Sequence, residues 1–249
     1  MDYPLVSVIM PAFNAARSIR EAVESVRRQT LSSWELVIVD DGSSDDTAGI
    51  VKSLAAVDAR IRLLTMDRPS GGPAAPRNLA LKTVSGRFVA FLDADDIWLP
   101  EKLEVQARIM SEQGATISCT GYYAFSDDRR LGTLVPPGSI SYRDLLRANS
   151  AGCLTVMLDR GSIGDIAFPD CGHEDYALWL ELVRAGHQIV GIPDILAGYR
   201  VSAMSVSGRK WNNLRYFWHI YRYRERFGPV ASAAFCVRYA LGALRKYAV

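Results

Sequence analysis

The chain has 249 residues, 49% of them hydrophobic and 22% charged, which fits one large globular domain with or without an appendage and excludes a disordered or fibrous chain. Four cysteines, Cys119, Cys153, Cys171 and Cys236, lie far apart with no C-x-x-C spacing, so they read as free thiols in a reducing compartment; Cys171-Gly-His173 offers two soft ligands, too few for a zinc site. The net charge of +2 hides an asymmetry: from Arg200 onward ten Lys and Arg face one acid, Glu225, so that segment carries +9 and residues 1–199 carry −7.

Leu5 to Met10 reads as a strand stopped by Pro11. Ser18-x-x-Glu21 is a capping box opening a helix with Ile19, Ala22, Val23 and Val26 on its apolar face. Trp34 to Val39 is a second strand ending in Asp40 and Asp41, and Gly42 to Thr47 leads into a helix carrying Ile50, Val51 and Leu54. Ile61 to Met66 is a third strand. A Gly- and Pro-rich loop over 67–75 precedes a helix from about Pro76 to Val84. Phe88 to Leu92 is the fourth strand, a continuous apolar run suited to burial on both faces, and it ends in Asp93, Asp95 and Asp96. Beyond Pro100 the pattern gives a helix to about Gln113, strands near 115–120 and 122–125, and a polar turn over 126–130. A short helix follows, capped by Ser141, then a strand over 155–158. Gly172-His-Glu-Asp175 leads into a helix over Tyr176 to Arg184, closed by Gly186. Strands at 188–192 and 196–201 complete this part.

Strands alternating with helices imply an α/β chain with a mostly parallel sheet. Three strand ends, Pro11 to Asn14, Asp40-Asp41 and Asp93 to Asp96, then converge on one edge, the place where open α/β sheets bind ligands. No G-x-G-x-x-G follows the first strand and no G-x-x-x-x-G-K-[ST] occurs, which excludes a dinucleotide fingerprint and a P-loop. Phosphate bound at this edge needs a cation and basic side chains. Asp93 and Asp95 share a side in extended chain and can face one Mg²⁺ or Mn²⁺, whose remaining positions diphosphate and water fill. Asp40 or Asp41 can accept hydrogen bonds from a base or ribose, and Arg77 is placed to approach the same ligand. Glu174-Asp175 is a second acidic pair at a helix start, suited to a general base that takes a proton from an attacking hydroxyl.

Pro11-Ala-Phe-Asn14, Asp40-Asp41-Gly-Ser-Ser-Asp-Asp-Thr47, Gly72-Pro-Ala-Ala-Pro-Arg-Asn78, Asp93-Ala94-Asp95 and Glu174-Asp175-Tyr-Ala-Leu-Trp179 together resemble the inverting family 2 glycosyltransferases of bacterial surface-polysaccharide assembly, in that family's order and over about residues 5–205. The resemblance implies a GT-A fold, a Rossmann-like mostly parallel mixed sheet flanked by helices. It also implies a nucleotide-sugar donor, most often a UDP-sugar, bound by Pro11, Ala12, Asn14, Asp40, Asp41, Arg77, Asp93 and Ala94. In the family pattern Asp41 contacts the base, Asp93 the ribose side and Asp95 the metal, with Asp93 beside it; Asp175 is the general base with Glu174 next to it. Two departures stand out. The loop reads Ala-Pro-Arg where the family has Ala-Arg, and no Gln-x-x-Arg-Trp follows Asp175, which points away from processive synthesis toward addition of one sugar.

The expected division is a catalytic domain over 1–205, with a nucleotide half to about 100 and an acceptor half from 101, and a helical extension over 206–249. Trp211 to Phe227 reads as a helix with Trp211, Leu214, Phe217, Trp218 and Tyr221 on one face and Arg215, Arg222 and Arg226 beside it. Gly228-Pro229 ends it, and a second apolar segment follows. No uncharged run reaches the length of a membrane span, and no signal peptide opens the chain. The basic aromatic pattern suits an anionic cytoplasmic membrane surface, contacted through 209–249, better than nucleic acid, and would bring a cytoplasmic enzyme to a glycan or polyprenyl-linked acceptor. The rival destination for that face is the catalytic domain itself. Two rival functions are a phosphotransferase or phosphatase with Asp93 as nucleophile and a sugar-nucleotide binding module without catalysis.

Overall fold

The computed structural model describes residues 4–127, 129–201 and 210–246. Its ten strands form one mixed sheet in the order β3-β2-β1-β4-β9-β6-β10-β5, with β7 on β6 and β8 on β10. β1 (Val6–Ala12), β2 (Trp34–Asp40), β3 (Ile61–Thr65) and β4 (Phe88–Phe91) are parallel neighbours, linked through α1 (Ile19–Arg27), α2 (Thr47–Ala55) and α3 (Ala74–Leu81). Side chains alternate across these strands into two separate cores. Val8, Met10, Leu36, Ile38, Ala90 and Leu92 face α1, α2 and α4 (Lys102–Gln113). Ile9, Val37, Val39, Val89 and Phe91 face the other way, toward α3, α5 (Tyr142–Arg147) and α7 (Glu174–Arg184). Burial on both faces explains why β4, and β2 from Leu36 to Val39, read as unbroken apolar runs.

Pro11 does not stop β1. The ladder carries it opposite Val39, and Ala12 opposite Asp40. Leu92 donates its N–H to the Ile9 carbonyl, so Ile9 and, two residues on, Pro11 face the β4 flank, where pairing ends at Phe91. The missing N–H of proline falls where no partner strand remains. The capping box at Ser18 also does not form: Ser18 has φ −119° and ψ −29° and caps nothing with its side chain. The Glu21 carboxylate is spent on Arg200 instead. At Ser141 the box does form, with Asp144 reciprocating.

The second half of the sheet departs further from its sequence pattern. The two short strands around Gly121 are one strand, β6 (Ile117–Ser126), and the two around Pro193 are one strand, β10 (Ile189–Arg200), parallel to it. The interruption is a bulge: register slips between Ile192 and Ala197, and the bulged Asp194 carbonyl would lie 3.2 Å from a Cβ on Gly121. The glycine between the two expected strands is a clearance for the neighbouring strands. The expected polar turn at 126–130 runs into β7 (Arg129–Leu134), which folds back on β6. β5 (Ile97–Trp98) and β8 (Ser139–Ile140) are two-residue strands on β10, too short to show periodicity. β9 (Val156–Asp159) enters antiparallel between β4 and β6 after a 3₁₀ turn over Cys153–Thr155, and α6 (Arg160–Ile163) follows it.

The C-terminal segment comprises α8 (Lys210–His219), a π-helical turn (Ile220–Arg224) and α9 (Pro229–Lys246). Its inner face is packed on α5 and α7. Phe217, Ile220 and Tyr221 are buried, Leu214 packs beside them, and Tyr221 and Tyr176 of α7 join hydroxyls at 2.9 Å. Glu225 accepts from Tyr142 at 2.5 Å and pairs with Arg184 at 3.2 Å. Phe217 and Tyr221 therefore belong to the core and are not available to a membrane surface, whereas Trp218 and Tyr223 stay exposed. The Trp211 side chain lies outside the described residues. Among the described residues no helix is long and apolar enough to cross a membrane.

Candidate active site

Three loops meet at the carboxyl edge of β1, β2 and β4. Asn14, in the left-handed region at φ 48°, donates its N–H to Ser43 Oγ and accepts from the Ser44 N–H at 2.8 Å. Ala15 and Ala16 donate to Thr47 Oγ1 and Asp45 Oδ2, so the loop after β1 is stitched to the loop after β2. Pro11 and Ala12 are buried at the end of β1, and the Ala12 carbonyl accepts from the Asp41 N–H at 2.8 Å. Asp40 and Asp41 are each 5% exposed. Both Asp41 oxygens accept from Ser70, one from its N–H at 2.9 Å and one from its hydroxyl at 2.8 Å. The Gly-Pro loop is thus drawn over Asp41, and a Cβ on Gly42 (φ 70°) would lie 2.9 Å from Pro69. Sequence reading singled out Asp41 and missed Ser70, because a serine in a polar loop carries no signal of its own.

β4 gives way to a turn, closed by the Asp96 N–H on the Asp93 carbonyl at 3.1 Å. The turn gives the two acids different surroundings. Asp93 is bound to Arg77 at 2.5 Å, Ala94 is buried, and Asp95 turns outward. Partial desolvation, then repulsion from Asp93, raises the Asp95 pKa. Asp96 is 1% exposed: one oxygen accepts from the Arg200 N–H at 2.8 Å, and burial followed by Asp93 and Asp95 holds its carboxyl well above the usual range. Asp96 and Arg200 carried no assigned role in the sequence.

Arg77 is where the site closes. α3 starts at Ala74, so Pro76 sits in the first turn, where no helical N–H is needed, and the extra proline leaves Arg77 helical. The Arg77 side chain is 2% exposed; Nη2 donates to Asp93 and Nη1 to Glu174, each at 2.5 Å. It is a bridge between the two acidic clusters, with its fork turned inward. Burial alone would lower its pKa, but Asp93, with Glu174 and Asp175, more than offsets this and keeps the cation.

Glu174 and Asp175 open α7, whose N-terminus favours negative charge. Glu174 is buried against Arg77, while Asp175 is half-buried and accepts only from the Tyr176 N–H at 2.7 Å among its described hydrogen bonds. Desolvation, then the Glu174 charge, raises the Asp175 pKa to about 6, with Arg77 opposing. His173, which precedes the helix, stacks on Phe217 of α8 with ring centroids 4.5 Å apart.

No three His, Cys, Asp or Glu side chains gather as a metal cluster among the described residues. Mg²⁺ and Mn²⁺ do not need one: they take one or two carboxylates and fill the rest of the shell with phosphate and water. An outward carboxylate at Asp95 beside a second acid fits that mode, whereas Asp93 is committed to Arg77. That commitment also speaks against Asp93 as a free nucleophile. A surface hollow of about 540 Å³, lined by Asn78, Lys82, Leu158, Arg160 and Asp165, holds none of these acids.

The model for glycosyl transferase family 2 matches residues 7–156. Among curated proteins the chain is 39% identical over 98% of its length, and 97% of the relative, to a putative teichuronic acid biosynthesis glycosyltransferase, TuaG, of Bacillus subtilis. It is 38% identical over 100% of its length, and 97% of the relative, to the UDP-Glc:alpha-D-GlcNAc-diphosphoundecaprenol beta-1,3-glucosyltransferase WfgD of Escherichia coli. Two solved structures share the fold at a TM-score of 0.69. S. aureus TarS 1-349 in complex with UDP is 23% identical over 86% of this chain, which spans 64% of that one. The mannosyltransferase PcManGT of Pyrobaculum calidifontis in complex with GDP-Man and Mn²⁺ is 20% identical over 95% of this chain and 69% of that one.

Proposed function

The chain belongs to glycosyl transferase family 2, and from that premise we propose that it adds one sugar, with inversion, from a UDP-sugar to a hydroxyl of a polyprenyl-diphosphate-linked glycan during surface-polysaccharide assembly. The observation that carries this reading is Arg77. One buried guanidinium holds Asp93 at the tip of β4 and Glu174 at the start of α7, so the edge suited to a nucleotide diphosphate and the edge suited to a base are joined by a single side chain. Donor and acceptor class follow the names of the relatives, one of which takes UDP-Glc and a GlcNAc-diphosphoundecaprenol.

Asp175 does the proton work. A carboxyl group with a pKa near 6 is ionised at neutral pH yet more basic than an ordinary aspartate. The acceptor oxygen attacks the anomeric carbon while its proton passes to Asp175, and the bond from that carbon to the diphosphate oxygen breaks, releasing UDP. Glu174 stays bound to Arg77 and raises the basicity of its neighbour by repulsion. Asp41 and the Ser70 loop frame the base side. Asp95 would hold Mg²⁺ or Mn²⁺, which when bound neutralises charge developing on the leaving diphosphate. The exposed Trp218 and Tyr223, with Arg215 and Arg226, would touch the membrane that carries the acceptor.

The test is transfer from a panel of radiolabelled UDP-sugars to a synthetic GlcNAc-diphosphate-lipid, with Mn²⁺ or with chelator. Product that requires metal and disappears in Asp175→Asn, with UDP binding retained, supports the reading. Product formation by Asp175→Asn at the wild-type rate would overturn it.

A further inference from the structure

The turn that carries Asp95 is held from outside by one residue of a remote strand. Arg200, the last residue of β10, reaches it twice: its backbone N–H donates to the Asp96 carboxylate at 2.8 Å, and its Nε donates to the Asp95 carbonyl at 2.7 Å. Nη2 is paired with Glu21 of α1 at 2.5 Å, and the guanidinium lies 4.5 Å from the centre of the Phe125 ring. Two of its three nitrogens and one face are therefore committed, which leaves little for a direct grip on substrate. The strand ladder supports the same point, since Gly198 pairs with Ile97 directly after the turn. At the entrance, Leu92 is pinned to Ile9.

We propose that Arg200 is a positioning residue for the metal-assisted diphosphate site: it fixes the peptide of Asp95, and with it the direction of the outward carboxylate. This rests on the reading of Asp95 as the cation's ligand. The pairing with Glu21 has a consequence for that role. A bare guanidinium beside the turn would repel a divalent cation, and a neighbouring carboxylate offsets its field while holding its plane. The clamp adds rigidity without adding net positive charge. Glu21 thereby has a use that its place in a failed capping box does not reveal.

Calorimetric titration of the full chain with UDP, with and without Mn²⁺, tests the assignment, alongside thermal unfolding. Wild type gains UDP affinity with Mn²⁺. In Arg200→Gln that gain falls about tenfold or more, the usual consequence of losing a group that orients a metal ligand, while UDP affinity without metal stays within about twofold. Arg200→Lys, which keeps the charge and loses the planar fork, falls between the two, and Glu21→Gln loses less in the same direction. A purely structural role lowers the unfolding temperature and leaves the Mn²⁺ gain intact, and that result in folded Arg200→Gln overturns the proposal. Should Arg200→Gln fail to fold, an undiminished Mn²⁺ gain in Glu21→Gln overturns it equally. A wild type with no Mn²⁺ gain overturns the metal reading of Asp95 and this inference with it, an outcome distinct from failure of the clamp alone.

Discussion

The two acidic clusters are made of the same side chains and built for opposite purposes. Asp93 to Asp96 sit on a turn at the sheet edge, with Asp95 turned outward and the turn tied down from β10 and α1. Glu174 and Asp175 sit in the first turn of a helix whose flank is covered by α8. On the proposed reading, the first fixes its backbone so that a carboxylate can meet a cation, and the second desolvates a carboxylate so that it becomes a stronger base. Environment, more than residue type, sets what each acid can do. Arg77 belongs to both, so the comparison can be attacked from either end or at the bridge.

The largest effect is expected at the base. Asp175→Asn should lower kcat about 10³-fold with UDP affinity unchanged, measured by single-turnover transfer. The same substitution should raise the unfolding temperature at pH 7.5, because a desolvated charge crowded by Glu174 opposes folding. The sign follows from linkage: a carboxyl whose pKa is raised to about 6 on folding contributes stability below its unfolded value that is lost as pH rises through 6, so removing its charge at pH 7.5 restores what was lost. A fall in stability would show that Asp175 has a favourable partner. Next comes the bridge. Arg77→Ala leaves Asp93 and Glu174 facing each other without a cation and should cost about 3–5 kcal/mol, read from urea unfolding. An unchanged midpoint would mean that the clusters are held together without it.

The pH profile separates the clusters without mutation. kcat/KM should fall on the acid side with an apparent pKa near 6 as Asp175 is protonated, and the limb should vanish in Asp175→Asn. The smallest effect is expected at the tail. Tyr142→Phe removes the hydrogen bond to Glu225 and should cost about 1 kcal/mol of stability with transfer chemistry untouched. A larger loss of kcat there would tie the tail to the base cluster more tightly than packing alone requires.

Much of the donor edge was legible because short-range signals carry it. β2 and β4 are buried on both faces, so each appears as an apolar run, and each is followed directly by its acids. The later strands hid their continuity, since β6 and β10 are joined across Gly121 and a bulge that local pattern reports as two breaks. Arg77 was visible as a residue but not as a bridge: its two partners lie 16 and 97 positions away, and only folding brings them to its fork. Arg200 and Ser70 were silent for the same reason, and Glu21 was read as a cap because its partner Arg200 lies 179 positions away. For the tail, helical spacing marked Phe217 and Tyr221 as apolar, and a core and a bilayer ask for the same spacing.

Sequence alone determined that the first four strands exist, where their acids fall and that two acidic clusters are present, because strand burial and chain order are encoded within a few neighbouring residues. Tertiary structure alone decided that the clusters share a guanidinium, that Asp93 is bound while Asp95 is presented, and that Phe217 and Tyr221 of the tail face inward while Trp218 and Tyr223 do not. Those outcomes depend on contacts between residues distant in the chain, and such contacts exist only once the sheet has brought its strands together.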